Sequence, residues 1–230
     1  TTAIPLLSEA VAKCDSTLMK KQLLESLELL FFVMLPAVFG MAAVSRPLYL
    51  VFYGYEATGI FVLAISAYVA LAMGLFNVLG SLLQGIYENK QAIKYTAWGL
   101  GLKLVLQYPL TLWLGVFGPL LATGIAMSWA SYLMLRFLYL KYNLPTGQLQ
   151  VNVNKMFMVA LLMFGVTLLF VGGYYMIFPG NSRWSALVSL SLAAGVGGYL
   201  YLLACFKLGL VQRILGTKVT SKLQKIFRWK

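Results

Sequence analysis

Six runs of roughly 20 apolar residues follow one another along this chain, the length a helix needs to cross about 30 Å of hydrocarbon. They cover residues 27–44, 60–84, 95–117, 119–140, 156–178 and 184–206. This repetition predicts an all-α fold, a polytopic transmembrane helix bundle. Residues 207–230 are left over as a basic tail.

Composition agrees on the solvent. Of 230 residues, 61% are hydrophobic and 10% charged, and the mean hydropathy is +0.84; an ordinary soluble domain is about 25% charged. A net charge of +12 would raise nucleic acid as a partner for a soluble chain. Here the basic residues fall between the apolar runs and in the tail, with no basic and aromatic recognition face. Nucleic acid is therefore not an expected partner, and the anion to be met is membrane lipid.

Lysines and arginines in the short connections set the expected orientation. Lys13, Lys20 and Lys21 precede the first run, Lys90 and Lys94 follow the second, Arg136, Lys141 and Lys155 flank the loop after the fourth, and the basic tail follows the sixth. The alternate connections are poor in positive charge, holding Arg46 with Glu56, then none at Gly118, then Arg183. That alternation predicts six crossings of a bacterial cytoplasmic membrane with the C-terminus in the cytoplasm. Thr1 to Ala12 is too short to span, and it has neither an initiating methionine nor a basic n-region. The expectation is the C-terminal part of a longer protein, opening inside a helix.

In the tail, Val211, Leu215, Val219, Leu223 and Ile226 recur at helical spacing, with Lys218, Lys222, Lys225 and Trp229 on other faces. An amphipathic helix on an anionic leaflet fits this pattern, and so does a solvated basic tail. Cys14 and Cys205 both fall at the cytoplasmic side, where thiols stay reduced. With no histidine, one aspartate and no cysteine cluster, neither a metal site nor a cofactor is expected.

Candidate functional residues come from polar stripes inside two adjacent runs. Thr96, Gly99, Lys103 and Gln107 are spaced by three or four, so they share one face of a helix otherwise built of leucine, valine and tryptophan. Asn77, Ser81 and Gln84 do the same in the preceding run, leading to Glu88. Lys103 lies roughly 13 Å along the helix from Lys94, at 1.5 Å per residue. Two readings stand: a lysine snorkelling to the interface, or one lining a hydrated cavity on a substrate path. Pro36 and Pro109 lie within runs, and Pro119 after Gly118 predicts a tight extracellular turn at Phe117–Pro119.

Two longer stretches resemble a known family. "IPLLSEAVAKCD", Ile4 to Asp15, is similar to the segment that closes a helix and opens a cytoplasmic loop in polysaccharide exporters and lipid-linked oligosaccharide flippases, the lipid II type among them. These belong to the multidrug/oligosaccharidyl-lipid/polysaccharide superfamily. Gln84 to Thr123 resembles a second family pattern, carried here by Gly99, Lys103, Gln107, Gly115, Gly118, Ala122 and Thr123. Cys14 stands where glycine is frequent, Gln107 where asparagine is common, and Pro119-Leu120 where small residues are usual.

The resemblance implies a 14-helix transporter of two lobes around a cleft. This chain would supply the end of the eighth helix and the ninth to fourteenth, and another segment the N-terminal lobe. Within the superfamily it looks most like the Gram-positive peptidoglycan and teichoic-acid type flippases, which turn a polyprenyl-diphosphate-linked saccharide over the membrane by alternating access. On that reading Lys103 meets the diphosphate, Gln107, Asn77 and Gln84 are neutral hydrogen-bonding partners, and Gly99 lies on the same path. Glu9 and Glu28 are candidates for a coupling or counter-ion role, or are end residues paired with Lys13 or Lys21.

A cation-coupled multidrug or small-molecule antiporter of the same superfamily is the alternative. An enzyme of polyprenyl-phosphate metabolism would need acidic metal ligands or a general base. The six acidic residues, Glu9, Asp15, Glu25, Glu28, Glu56 and Glu88, form no tight motif, so catalysis is not expected.

Overall fold

The computed structural model describes residues 16–144, 146–178 and 182–210. Among these residues it has seven helices and no strand: α1 (Ser16–Ala43), α2 (Ser45–Tyr53), α3 (Ala57–Gly85), α4 (Asn89–Leu114), α5 (Phe117–Tyr142), α6 (Thr146–Ile177) and α7 (Arg183–Lys207). Five are long and apolar enough to cross a membrane: Thr17–Ala43, Ala57–Gly85, Phe117–Tyr142, Leu149–Ile177 and Arg183–Lys207. The chain is thus an all-α membrane-helix protein. α4, 26 residues long, has the length but is more polar, with Lys90, Lys94, Lys103 and Gln107 in it.

Several helices outrun the apolar runs that seed them. α1 begins at Ser16 and reaches residue 27 through leucine, lysine, glutamine and glutamate. These are strong helix formers, so a helix that has paid its nucleation cost propagates through them. Pro36 and Pro109 sit inside continuous helices; each removes one backbone donor, a loss that membrane helices accommodate.

The α4–α5 connection is a two-residue turn at Gly115 and Val116, with α5 starting at Phe117. Gly115 has φ +56° and donates its N–H to the Thr111 carbonyl at 2.9 Å. Gly118 packs so closely that a Cβ there would lie 2.5 Å from the Leu110 carbonyl carbon and from Thr111 Cα. The turn therefore falls just before the expected Phe117–Pro119. Pro119 occupies the first turn of α5, where its missing N–H leaves no bond unmade.

The described residues divide into two compact units. The first comprises residues 16–30 with Ala57–Leu149. In it α5 packs along both α4 and α3, while α3 and α4 touch over a shorter length. Leu23, Leu27, Leu79, Leu83, Met134 and Leu138 form its core. The α4/α5 seam is made of small residues, with Ala92 and Gly99 buried on one helix and Ala122, Ala126 and Ala130 on the other. Close backbone approach of this kind is what holds helices together where lipid removes the hydrophobic drive.

The second unit comprises Phe31–Glu56 with the described residues from 150 onward. There α2 packs on α7, around Val44, Leu50, Val171, Tyr175, Ala186 and Ala193. The Tyr201 hydroxyl donates to the Phe32 carbonyl at 2.9 Å. Phe39 meets Phe157 and Phe164 edge-on at 5.6 and 5.7 Å.

Candidate functional site

α4 is built inside out relative to a helix of a soluble protein. Its outward face carries Ile93, Trp98, Leu104, Val105, Tyr108 and Trp113, all strongly exposed. Its half-buried flank carries Thr96, Lys103 and Gln107 beside the buried Gly99. Apolar residues outside and polar residues toward the protein is the arrangement that lipid, not water, favours.

Gly99 sets the height of that flank. A Cβ at this position would lie 2.8 Å from the Ala130 Cβ and 3.6 Å from the Ala126 carbonyl oxygen, so glycine brings α4 onto α5 at this level. Lys103, one turn on, has no ion-pair partner among the described residues. Thr111 donates to the Gln107 carbonyl at 2.6 Å. Such a local bond satisfies the hydroxyl and leaves the Gln107 amide for other partners.

Thr96, Gly99, Lys103 and Gln107 share one flank of α4, whereas Asn77 and Gln84 lie on a different helix, α3. Both are exposed, on the side of α3 opposite its buried Ala72, Leu79 and Leu83. The Ser81 hydroxyl between them donates to the Asn77 carbonyl at 2.9 Å. Glu28 is buried at 6% exposure within a hydrocarbon-length helix, and it takes part in an interaction. Lys21 pairs with Glu25 at 3.9 Å. Glu9, Cys14 and the tail from 211 onward lie outside the described residues; Cys205 is a buried free thiol.

Two polar clusters escaped the sequence reading. Glu88, at the N-cap of α4, accepts hydrogen bonds from Lys141 Nζ and, at 3.1 Å, from the Tyr142 hydroxyl at the end of α5. The Lys141 bond holds the Glu88 carboxyl below its ordinary range. The signal was present: two 26-residue helices joined by a two-residue turn must bring the start of one to the end of the other. In the second unit Arg46, on the short α2, stacks over the Tyr175 ring at 4.1 Å from its centroid and faces Tyr55 at 5.9 Å. No sequence pattern marks that contact, which joins residues far apart in the chain.

Comparison with known proteins places this architecture. Residues 1–215 match the lipid II flippase MurJ family. The chain is 29% identical over 232 residues to the lipid II flippase MurJ of Bacillus subtilis (strain 168), covering 97% of this chain and 42% of that protein. It is 27% identical to the uncharacterized membrane protein YabM of the same organism, covering 99% of this chain and 43% of that one. It therefore spans less than half the length of these curated relatives. No solved structure matches the chain. A family match over nearly the whole sequence, on a fold of apolar helices long enough to cross a membrane, means that this chain belongs to the lipid II flippase MurJ family.

Proposed function

We propose that this chain forms the C-terminal lobe of a flippase that turns a polyprenyl-diphosphate-linked cell-wall saccharide, of lipid II type, over the bacterial cytoplasmic membrane by alternating access. The family carries the substrate class and does not favour the antiporter alternative; the protein moves its cargo without changing it chemically. In this reading α4 is a sixth crossing, its apolar face toward lipid and its polar flank toward the path, and the C-terminus is cytoplasmic.

The observation that carries the proposal is Lys103. A half-buried cation without an ion-pair partner among the described residues, deep in a helix with an apolar outer face, calls for an anion supplied from elsewhere. A diphosphate supplies it, with Gln107 and Thr96 on the same flank as neutral partners. Asn77 and Gln84 serve the path from the exposed side of α3.

The test combines access with transport. Single cysteines at 96, 103 and 107, and at 100, 104 and 105 as controls, are exposed to a charged thiol reagent in a background without Cys14 and Cys205. The stripe should label, the controls should not, and a lipid-linked saccharide should protect. A charge-assisted hydrogen bond to phosphate contributes about 1.5–3 kcal/mol, so Lys103→Gln should slow flipping roughly tenfold or more. Lys103→Arg should retain most of the rate. An unlabelled stripe together with wild-type flipping by Lys103→Gln would remove Lys103 from the path.

A further inference from the structure

Two cavities open along one side of the α4/α5 seam. The first, about 490 Å³, is walled by Tyr95, Leu133, Arg136, Phe137, Leu140 and Lys141. The second, about 820 Å³, is walled mainly by Lys94, Ala97, Trp98, Gly101, Val105 and Trp129. On α5, Trp129, Leu133, Arg136 and Leu140 recur every three or four residues, and on α4 so do Lys94, Trp98, Gly101 and Val105. Each set thus lies on one face of its helix. Since α4 and α5 run antiparallel from their two-residue turn, the cavities are successive parts of one groove.

This groove is distinct from the Lys103 stripe. At 3.6 residues per turn, Trp98, Gly101 and Val105 fall on one flank of the seam marked by Gly99, and Thr96, Lys103 and Gln107 on the other. Its chemistry is also different. At one end Glu88 offsets the charge of Lys141, while Arg136 and Lys94 have no ion-pair partner among the described residues. At the other end the walls are apolar, with Trp98 and Trp129 at 62% and 50% exposure. A saccharide would find few groups there to bond.

We infer that this groove binds an anionic phospholipid of the surrounding bilayer, its phosphate at Arg136 between Tyr95 and Lys141 and one acyl chain along Trp98, Gly101, Val105 and Trp129. The planar guanidinium fork suits a phosphate, and basic pockets between membrane helices take anionic head groups. A zwitterionic lipid would bring its own cation against Arg136 and Lys94.

The two groove tryptophans report on the occupant. In a background where Trp98 and Trp129 are the only tryptophans, the protein is placed in phosphatidylcholine vesicles containing a minor fraction of brominated phosphatidylglycerol or of brominated phosphatidylcholine. The phosphatidylglycerol should quench at about fivefold lower concentration, and Arg136→Gln should reduce it to the level of phosphatidylcholine. Gly101→Leu should weaken quenching by both lipids. A Cβ at 101 meets nothing within 4 Å, so this variant fills the groove without disturbing the seam.

Equal quenching by the two lipids, or a preference that survives Arg136→Gln, would overturn the assignment. So would relief of quenching by unbrominated polyprenyl diphosphate where unbrominated phosphatidylglycerol has no effect, which would make the groove a substrate site. None of these readouts requires transport, so they stand apart from the fate of Lys103.

Discussion

Gly99→Ala should loosen the α4/α5 seam, and the cost follows from one distance. The added Cβ would lie 2.8 Å from the Ala130 Cβ, whereas carbon atoms in contact sit roughly 3.5–4.0 Å apart. The helices must then separate by roughly 1 Å at this level. An alanine methyl has no rotamer with which to yield, so the strain passes to the backbone and opens contacts at Ala92, Ala126 and Ala130. Overpacking costs about 1–3 kcal/mol, and a clash between two fixed methyls belongs near the upper figure. Helix propensity returns about 1 kcal/mol on replacing glycine by alanine, leaving a net loss of about 2 kcal/mol.

A double-mutant cycle separates the two contributions. Ala130→Gly removes the opposing methyl, so the pair Gly99→Ala with Ala130→Gly should recover the clash of about 3 kcal/mol as coupling energy, the propensity effects cancelling. Unfolding would be followed by titrating sodium dodecyl sulfate into mixed micelles, reading helicity and the emission of Trp98 and Trp129, which flank the seam. If Gly99→Ala matched the parent, or the two changes simply added, the close approach at Gly99 would not be what sets the packing of this hairpin.

Two further outcomes follow from specific contacts. Glu88 is held below its ordinary value of 4.5, chiefly by Lys141. Near that value the native state binds fewer protons than the unfolded chain, so the contribution is complete above about pH 5 and fades as pH falls through the lower native pKa. Glu88→Gln should flatten that part of the stability profile in a thermal melt series, and an unchanged acid slope would refute the tie. Tyr201→Phe removes the 2.9 Å bond to the Phe32 carbonyl while keeping the ring contact at 5.7 Å. At about 1 kcal/mol it should lower stability by about that amount in the same detergent titration; an unchanged transition would show that the Tyr201 hydroxyl does not restrain this unit.

What the sequence made legible was whatever a short window contains. Runs of apolar residues specify helices of hydrocarbon length, and a spacing of three or four puts Thr96, Lys103 and Gln107 on one flank. The size of Gly99 is legible too, but its role is not, because the distance that demands glycine is to Ala130 on another helix. For the same reason the sequence shows Glu88 and Lys141 only as separate charges at helix ends, and gives no sign that Arg46 meets Tyr175. Periodicity also placed Asn77 and Gln84 on one face of α3, but only the packing of α3 on α5 shows that this face is exposed. The groove beside the seam needed both helices at once, since half of its wall comes from each.

Three contacts fix α4 to α5 along most of their length: the Glu88–Lys141 tie at one end, Gly99 against Ala130 within the span, and the Gly115–Gly118 turn at the other. Lys103 lies between the last two, so it cannot shift relative to α5 without breaking one of them. In alternating access a charge must change the side it serves, and rigid-body movement does this without repacking its surroundings. A cation on a free helix could instead slide toward the interface and lose its depth. On the proposed function the small residues of the seam would then have a functional as well as a structural consequence: they carry Lys103 with the α4/α5 hairpin as one body, so loosening at Gly99 should impair flipping more than it lowers stability.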